Sequence, residues 1–208
     1  MKLLIGAGAM LLALSAVAKA ADAADVPAVL SVCQSCHQAD GAGNPAFGAP
    51  ALAGQQQAYL LRQLQHFQSG IRGSHPEDNF GAQMQAALPK QLNQAELNTL
   101  AAFFAALPAV AAEAVPVDAQ RADRGRKLYI NSCGACHGAK AEGVSALNAP
   151  ALRQLAPAYQ LRQLQHFRDG MRGTDANDKP GRQMARMAQT LKSEQDILDI
   201  LQYIGTLP

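Results

Sequence analysis

Aromatic side chains are scarce in this chain: they make up 5% of its 208 residues, and tryptophan is absent. Lysine and arginine number 18 against 16 aspartates and glutamates. Nowhere do they form a dense basic stripe with interleaved aromatics, which argues against nucleic acid as a partner. No segment alternates apolar and polar residues with period two, so no half-buried sheet is expected. Past residue 20 no apolar run is long enough to span a bilayer. The most apolar stretch, 100–112, is interrupted by Pro108 and reads as a buried helix face running into a linker. Cysteine is as sparse: all 4 fall within two pentapeptides, so any thiol chemistry is confined to them.

Those pentapeptides are Cys33-Gln34-Ser35-Cys36-His37 and Cys133-Gly134-Ala135-Cys136-His137. Two cysteines three apart, followed at once by histidine, is the attachment signature of a c-type haem. Both thiols add across the vinyl groups of one porphyrin, and the histidine beneath the ring offers an axial nitrogen to the iron. Other readings of the same letters fit less well. A redox dithiol wants a βαβ setting, which is lacking. A zinc ribbon wants its two pairs closer together than Cys36 and Cys133. A pair of disulfides gives no reason for His37 and His137. The expected cofactors are two covalently bound haem c groups.

The start of the chain has the pattern of an export signal. Lys2 gives a positive start, Leu3 to Val17 is apolar, and Ala18-Lys19-Ala20 is a small-x-small cleavage site. Cleavage after Ala20 and a periplasmic location are expected, in keeping with haem attachment outside the cytoplasmic membrane. The remaining charge is unevenly spread. Residues 21–112 carry Arg62, Arg72 and Lys90 against six acidic groups, and residues 113–208 carry thirteen basic against ten acidic. Such an asymmetry can orient encounters with charged partners, and it suggests that the two halves face different ones.

Compared with itself at an offset of 100, the chain matches at 28 of 78 positions from Ser31–Pro108 to Asn131–Pro208, without a gap. The best block is Ala58-Tyr59-x-Leu61-Arg62-Gln63-Leu64-Gln65-His66-Phe67 and its copy from Ala158 to Phe167. Two units are too few for a solenoid; they mean two similar domains, 21–112 and 113–208. Pro108 to Gln120 reads as an extended join, short enough that the domains should touch. Leu60, Leu64 and Phe67 follow helical spacing, predicting an amphipathic helix near 58–69 that ends at Gly70. Asn93-x-x-Glu96 and Ser193-x-x-Asp196 resemble capping boxes ahead of a last helix in each half. Another helix is expected before each haem motif. Domains of this size bury little core of their own, so haem-free protein is expected to fold poorly.

An iron held by one histidine has an open face, and thioether sulfur there favours the reduced state. Met84 is the one methionine of the first half after residue 20, and Met184 is its aligned partner, each 47 residues after its histidine. Met171 and Met187 align with Ile71 and Ala87; Met187 lies one turn from Met184 and is its competitor. The expected axial pairs are therefore His37 with Met84 and His137 with Met184. His66 and His166 lie well off the apolar stripe of their helices and are expected to be exposed or at its boundary. His75 reads as a loop residue. Arg72 and Arg172 suit either haem propionates or solvent.

On these residues the chain resembles the dihaem class I cytochromes c of the cytochrome c4 family. The resemblance rests on both haem motifs, Pro50-x-Leu52-Ala53-Gly54-Gln55, the Tyr59-Leu60-x-x-Gln63-Leu64-x-x-Phe67-x-x-Gly70-x-Arg72 run, and Met84. The second half matches through Pro150, Tyr159, Gln163-Leu164, Phe167, Gly170, Arg172 and Met184. It implies an all-α protein of two tandem cytochrome c domains about a pseudo-twofold axis. It also implies that the carbonyls of Pro50 and Pro150 accept the ring N–H of His37 and His137. The second half departs with Arg153-Gln154-Leu155 in place of Ala53-Gly54-Gln55, and Asp25 stands where the other half has Gly125. Local packing, and that of the first helix, is expected to differ there.

The implied role is a monomeric periplasmic electron carrier of the respiratory chain. It would run from a quinol-oxidising cytochrome complex to a haem–copper terminal oxidase, with peripheral membrane association compatible. The alternative is the cytochrome subunit of a larger dehydrogenase. A dihaem peroxidase is disfavoured, because matched methionines would close the position that peroxide needs.

Overall fold

The structure, a computed structural model, describes residues 25–112 and 116–208; the expected export signal, residues 1–20, lies outside the described residues. The first half comprises α1 (Asp25–His37), α2 (Gln57–Ser69), α3 (Asn79–Ala87) and α4 (Gln94–Ala106). The second comprises α5 (Ala119–Ser132), the short α6 (Gly134–His137), α7 (Pro157–Arg168), α8 (Lys179–Ala188) and α9 (Glu194–Ile204). Among the described residues there is no strand, only the isolated bridges Asn44–Ala49 and Val144–Ala149.

The local signals act where they stand. Gly70 ends α2 in the left-handed conformation, φ 80°. Both capping boxes form: Asn93 caps α4 with Glu96 reaching back, and Ser193 caps α9 with Asp196 doing the same. The join is shorter than its composition suggests. Asp118 accepts from the backbone N–H of Gln120 and Arg121, which starts α5 at Ala119 within the expected linker.

Each half closes its own apolar cluster. In the first, Leu97 and Leu100 of α4 meet Val29 of α1 and Phe67 of α2; in the second, Ile197 and Ile200 of α9 meet Tyr129 of α5. These four aliphatic side chains are at most 2% exposed, and each contributes about 2 kcal/mol by leaving water. The expected difference at the first helix is real. α5 lies along α9 so closely that a Cβ on Gly125 would stand 1.8 Å from the Asp199 carbonyl oxygen. Beside that contact the Asp199 carboxylate accepts from Arg121 at 3.0 Å and Arg124 at 2.8 Å.

The halves pack on each other reciprocally. Arg62 donates to the Asn148 carbonyl at 2.9 Å, and Arg162 to the Gly48 carbonyl at 2.6 Å. Gln55 donates to the Ala151 carbonyl at 2.9 Å, and Gln154 to the Ala53 carbonyl at 2.8 Å. The segment where the halves diverge in sequence therefore still bridges them: the bridging amide has moved by one position.

Candidate haem-binding sites

The first site begins at the end of α1. Cys33, Cys36 and His37 line one cleft, open to solvent on one side, with Pro50, Met84 and Leu100. The loop after His37 doubles back, with Gly43 N–H donating to the His37 carbonyl at 3.0 Å. Gly43 has φ +82°, and a Cβ there would meet the Pro50 carbonyl carbon at 2.5 Å, so glycine is what lets the loop lie against Pro50. Gly143 repeats this at φ +78° against Pro150.

That fold-back fixes the histidines. His37 Nδ1 lies 2.8 Å from the Pro50 carbonyl, and His137 Nδ1 lies 2.9 Å from the Pro150 carbonyl. A carbonyl can only accept, so Nδ1 carries the proton and Nε2 keeps its lone pair. Burial lowers the pKa of both rings, against the opposing pull of the proline carbonyls. Both are thus neutral, the form that binds metal. Burial raises the Cys33 thiol and pushes Cys133 up to about 11. Such thiols are poor redox dithiols, which depend on a lowered pKa.

In the second half α5 stops at Cys133, whose φ of −120° interrupts the helix before α6 carries Cys136 and His137. Cys133 packs against the Tyr129–Ile197–Ile200 cluster. Met184 packs against Phe167, Ala185 and Ala188, and Leu164 touches both clusters. Its competitor Met187 is 36% exposed. Met84 packs on the same cluster as Cys33.

Between the halves one sequence expectation is corrected and one open alternative is removed. His66 and His166 are not exposed: they are 8% and 7% exposed, because the flank of α2 and α7 that leaves its own core is covered by the other half. Arg172 is likewise buried, and half-buried Arg72 lines the cleft. Neither is solvated. Arg72 donates to Gln63 at 2.8 Å, and across the interface to Tyr159 at 2.9 Å and Gln163 at 3.0 Å. Arg172 donates to Gln163 at 2.6 Å and to Gln63 at 2.8 Å. Each guanidinium also rests on its own half's aromatic ring, Phe67 at 4.6 Å and Phe167 at 4.4 Å from the centroid. Burial alone would raise the Tyr159 phenol, but Arg72 and Arg172 outweigh it and hold it below its ordinary value. The roles of Tyr59, Gln63 and their copies went unassigned in the sequence, although they form its best-matched block. A reciprocal interface places the same residues of both halves opposite one another, and that is what the matching signalled.

This network leaves positive charge unspent. Among the described residues neither Arg72 nor Arg172 has a carboxylate within ion-pair distance. The Nε atoms of Arg72 and Arg162, which line the cleft, are buried without a partner. Buried cations ordinarily have a counter-ion. An apolar macrocycle with two thiol-reactive vinyl groups and two carboxylates suits what is present, so the residues fit haem c.

Two such sites in tandem define a dihaem c-type cytochrome. A family model described as cytochrome c matches residues 23–108 and again 122–208. Cytochrome c4 of Pseudomonas aeruginosa is 32% identical over 202 residues, 94% of this chain and 94% of the relative. The thiosulfate dehydrogenase electron acceptor of Stutzerimonas stutzeri (strain A1501) is 35% identical over 190 residues, 84% of this chain and 83% of the relative. The crystal structure of reduced recombinant cytochrome c4 from Pseudomonas stutzeri aligns at TM-score 0.69 and 31% identity, over 91% of this chain and 100% of that one. The chain belongs to the cytochrome c4 family. It carries two covalent haem c groups on Cys33 with Cys36 and on Cys133 with Cys136, and it is an electron carrier and not an enzyme.

Proposed function

We propose that this protein works in the periplasm after loss of residues 1–20, with domains 21–112 and 113–208. It takes electrons from a quinol-oxidising cytochrome complex and delivers them to a haem–copper terminal oxidase. His37 and Met84 are the axial ligands in the first half, and His137 and Met184 in the second. Haem c, when bound, supplies a one-electron ferrous–ferric couple, and thioether ligation raises its potential.

The protein's part is to hold that couple still. Pro50 and Pro150 fix the tautomer and angle of the histidines, as outer partners of metal ligands do. Arg72 and Arg172 provide charge for the haem carboxylates. The observation that carries the reading is that residues of both halves line one cleft: Tyr159, Arg162 and Gln163 face it together with His37 and Met84. Optical and redox titration of the purified protein tests it. Two haems per chain and a weak far-red band in the oxidised form are expected. A colourless protein, or oxidised irons that take up cyanide readily at full occupancy, would refute it.

A second reading has this chain as the cytochrome partner of a dehydrogenase. It is favoured by the likeness to the thiosulfate dehydrogenase electron acceptor. Co-purification with a catalytic subunit, and rapid reduction by it, would select this reading over the first.

A further inference from the structure

The repeat preserves Asp78-x-x-Gly81-x-Gln83-Met84 as Asp178-x-x-Gly181-x-Gln183-Met184, the run that opens the methionine-bearing helix of each half. The aspartate is its cap: Asp78 accepts from Gly81 N–H at 2.8 Å, and Asp178 from Gly181 N–H at 2.8 Å. A Cβ on Gly81 would lie 2.1 Å from the Asp78 carboxylate, so the glycine gives the cap its room. The capped helices are short, 9 and 10 residues, and helices of that length are marginal without outside support.

Both cap carboxylates are buried, at 6% and 5% exposure, and one N–H does not satisfy a buried carboxylate. Their further polar neighbours come largely from the opposite half. His166 Nδ1 stands 3.8 Å from Asp78, and His66 Nδ1 stands 3.8 Å from Asp178. That is longer than a direct hydrogen bond and short enough for one water or a small closure to complete. His166 Nδ1 is buried and has no other partner. Arg162 acts on Asp78 from across the interface and Arg62 on Asp178, while Arg72 reaches Asp78 from its own half. The groups facing His66 are Asp178, Arg62, Arg72 and Arg172; those facing His166 are Asp78, Arg162, Arg72 and Arg172.

We propose that His66 and His166 are positioning residues that act in trans, each steadying the methionine-bearing helix of the opposite half through its cap, Asp178 or Asp78. This rests on the reading of Met84 and Met184 as axial ligands. It makes the ligation of each haem depend on the docking of the other domain.

The test uses holoprotein. Met84→His and Met184→His first assign each far-red component and each potential to a half. A wild type lacking the far-red component at either haem would overturn the ligand reading and this inference with it. With both present, His66→Leu is expected to raise the imidazole affinity of the second-half haem about three- to tenfold, the span of one net hydrogen bond, and to leave the first unchanged. His166→Leu should do the mirror image, and Asn at either position, whose amide takes the place of Nδ1, should restore most of the effect. A change confined to the variant's own half, equal in both, or absent would overturn the inference while leaving the ligands intact. Should a Leu variant fail to fold, His66→Ala and Asp178→Asn are combined and read at the second-half haem. Non-additive shifts support the coupling, and additive ones overturn it.

Discussion

Replacing Gly125 by alanine tests the packing of the second domain against a competing expectation of opposite sign. In an exposed helix interior the change would stabilise by about 1 kcal/mol, the difference in helix propensity. Here the new Cβ meets the Asp199 carbonyl oxygen at 1.8 Å and the carbonyl carbon at 2.4 Å. Both are backbone, so no side chain can swing away; α5 and α9 must separate by more than 1 Å, a distance the clash itself sets. Overpacking of this kind costs about 1–3 kcal/mol. Separation also strains the Asp199 contacts with Arg121 and Arg124, at 3.0 and 2.8 Å, on the same face. The net expectation is a loss of about 2 kcal/mol. For a domain of this size that lowers the melting temperature by about 10 °C. Thermal scans of the holoprotein, followed at the far-red band, should show the second-half component lost at a lower temperature than in the parent, with the first-half component weakening once its neighbour undocks. A variant as stable as the parent, or more so, would show that the helices are not in contact as described.

Haem-free protein should lose most of its helical signal in circular dichroism, because the residues lining the cleft would then face water; native helicity would contradict this. Burial lowers the pKa of His66 and His166, opposed by Asp178 and Asp78 respectively. As pH falls below about 6.5, the unfolded value, the unfolded chain gains protons that the folded one refuses. Stability should therefore decline from there toward the folded values, and denaturant titrations of a His66→Asn/His166→Asn variant should flatten that slope. Lys179, Arg182, Arg186 and Lys192 are exposed on or near α8, whereas the aligned positions of the first half, Asn79, Ala82, Ala86 and Leu92, carry no charge. Reversing Arg182 and Arg186 should slow exchange with an acidic partner about tenfold at low ionic strength and much less at high salt. Equal slowing with donor and acceptor would reject separate docking faces.

What could be read in advance was whatever depends on neighbours in sequence. The Cys-x-x-Cys-His runs, the capping boxes at Asn93 and Ser193, and Gly70 at the end of α2 are local, and they act as their letters suggest. The 47-residue step from histidine to methionine is repeated in the second copy, and on that register Met84 and Met184 are proposed as ligands. The exposure expected of His66 and the solvated alternative left open for Arg172 fail for a single reason. Helical periodicity locates the stripe that faces a helix's own domain, and a second buried stripe facing another domain looks polar. Its polarity is the point: Gln63, His66 and Arg72 meet the other half's polar groups, and polar groups that satisfy one another can be buried.

The geometry of that meeting bears on how the halves can diverge. Contacts such as Arg62 on Asn148 with Arg162 on Gly48, and His66 near Asp178 with His166 near Asp78, obey the rule of an isologous dimer, where residue i meets j and j meets i. In a true dimer one substitution changes both contacts; in a single chain each can change alone. Asymmetry has entered where that freedom costs little. Arg162 stacks on Phe80 at 4.2 Å, whereas the position equivalent to Phe80 is Pro180, and Arg62 bonds the Asn148 side chain instead at 3.1 Å. The cap aspartates, the interface histidines and the glutamine–arginine knot stay identical, since each touches its own duplicate or the duplicate's neighbour. The outward face of α8 is under no such constraint, and there Lys179, Arg182 and Arg186 stand where the first half has the uncharged Asn79, Ala82 and Ala86.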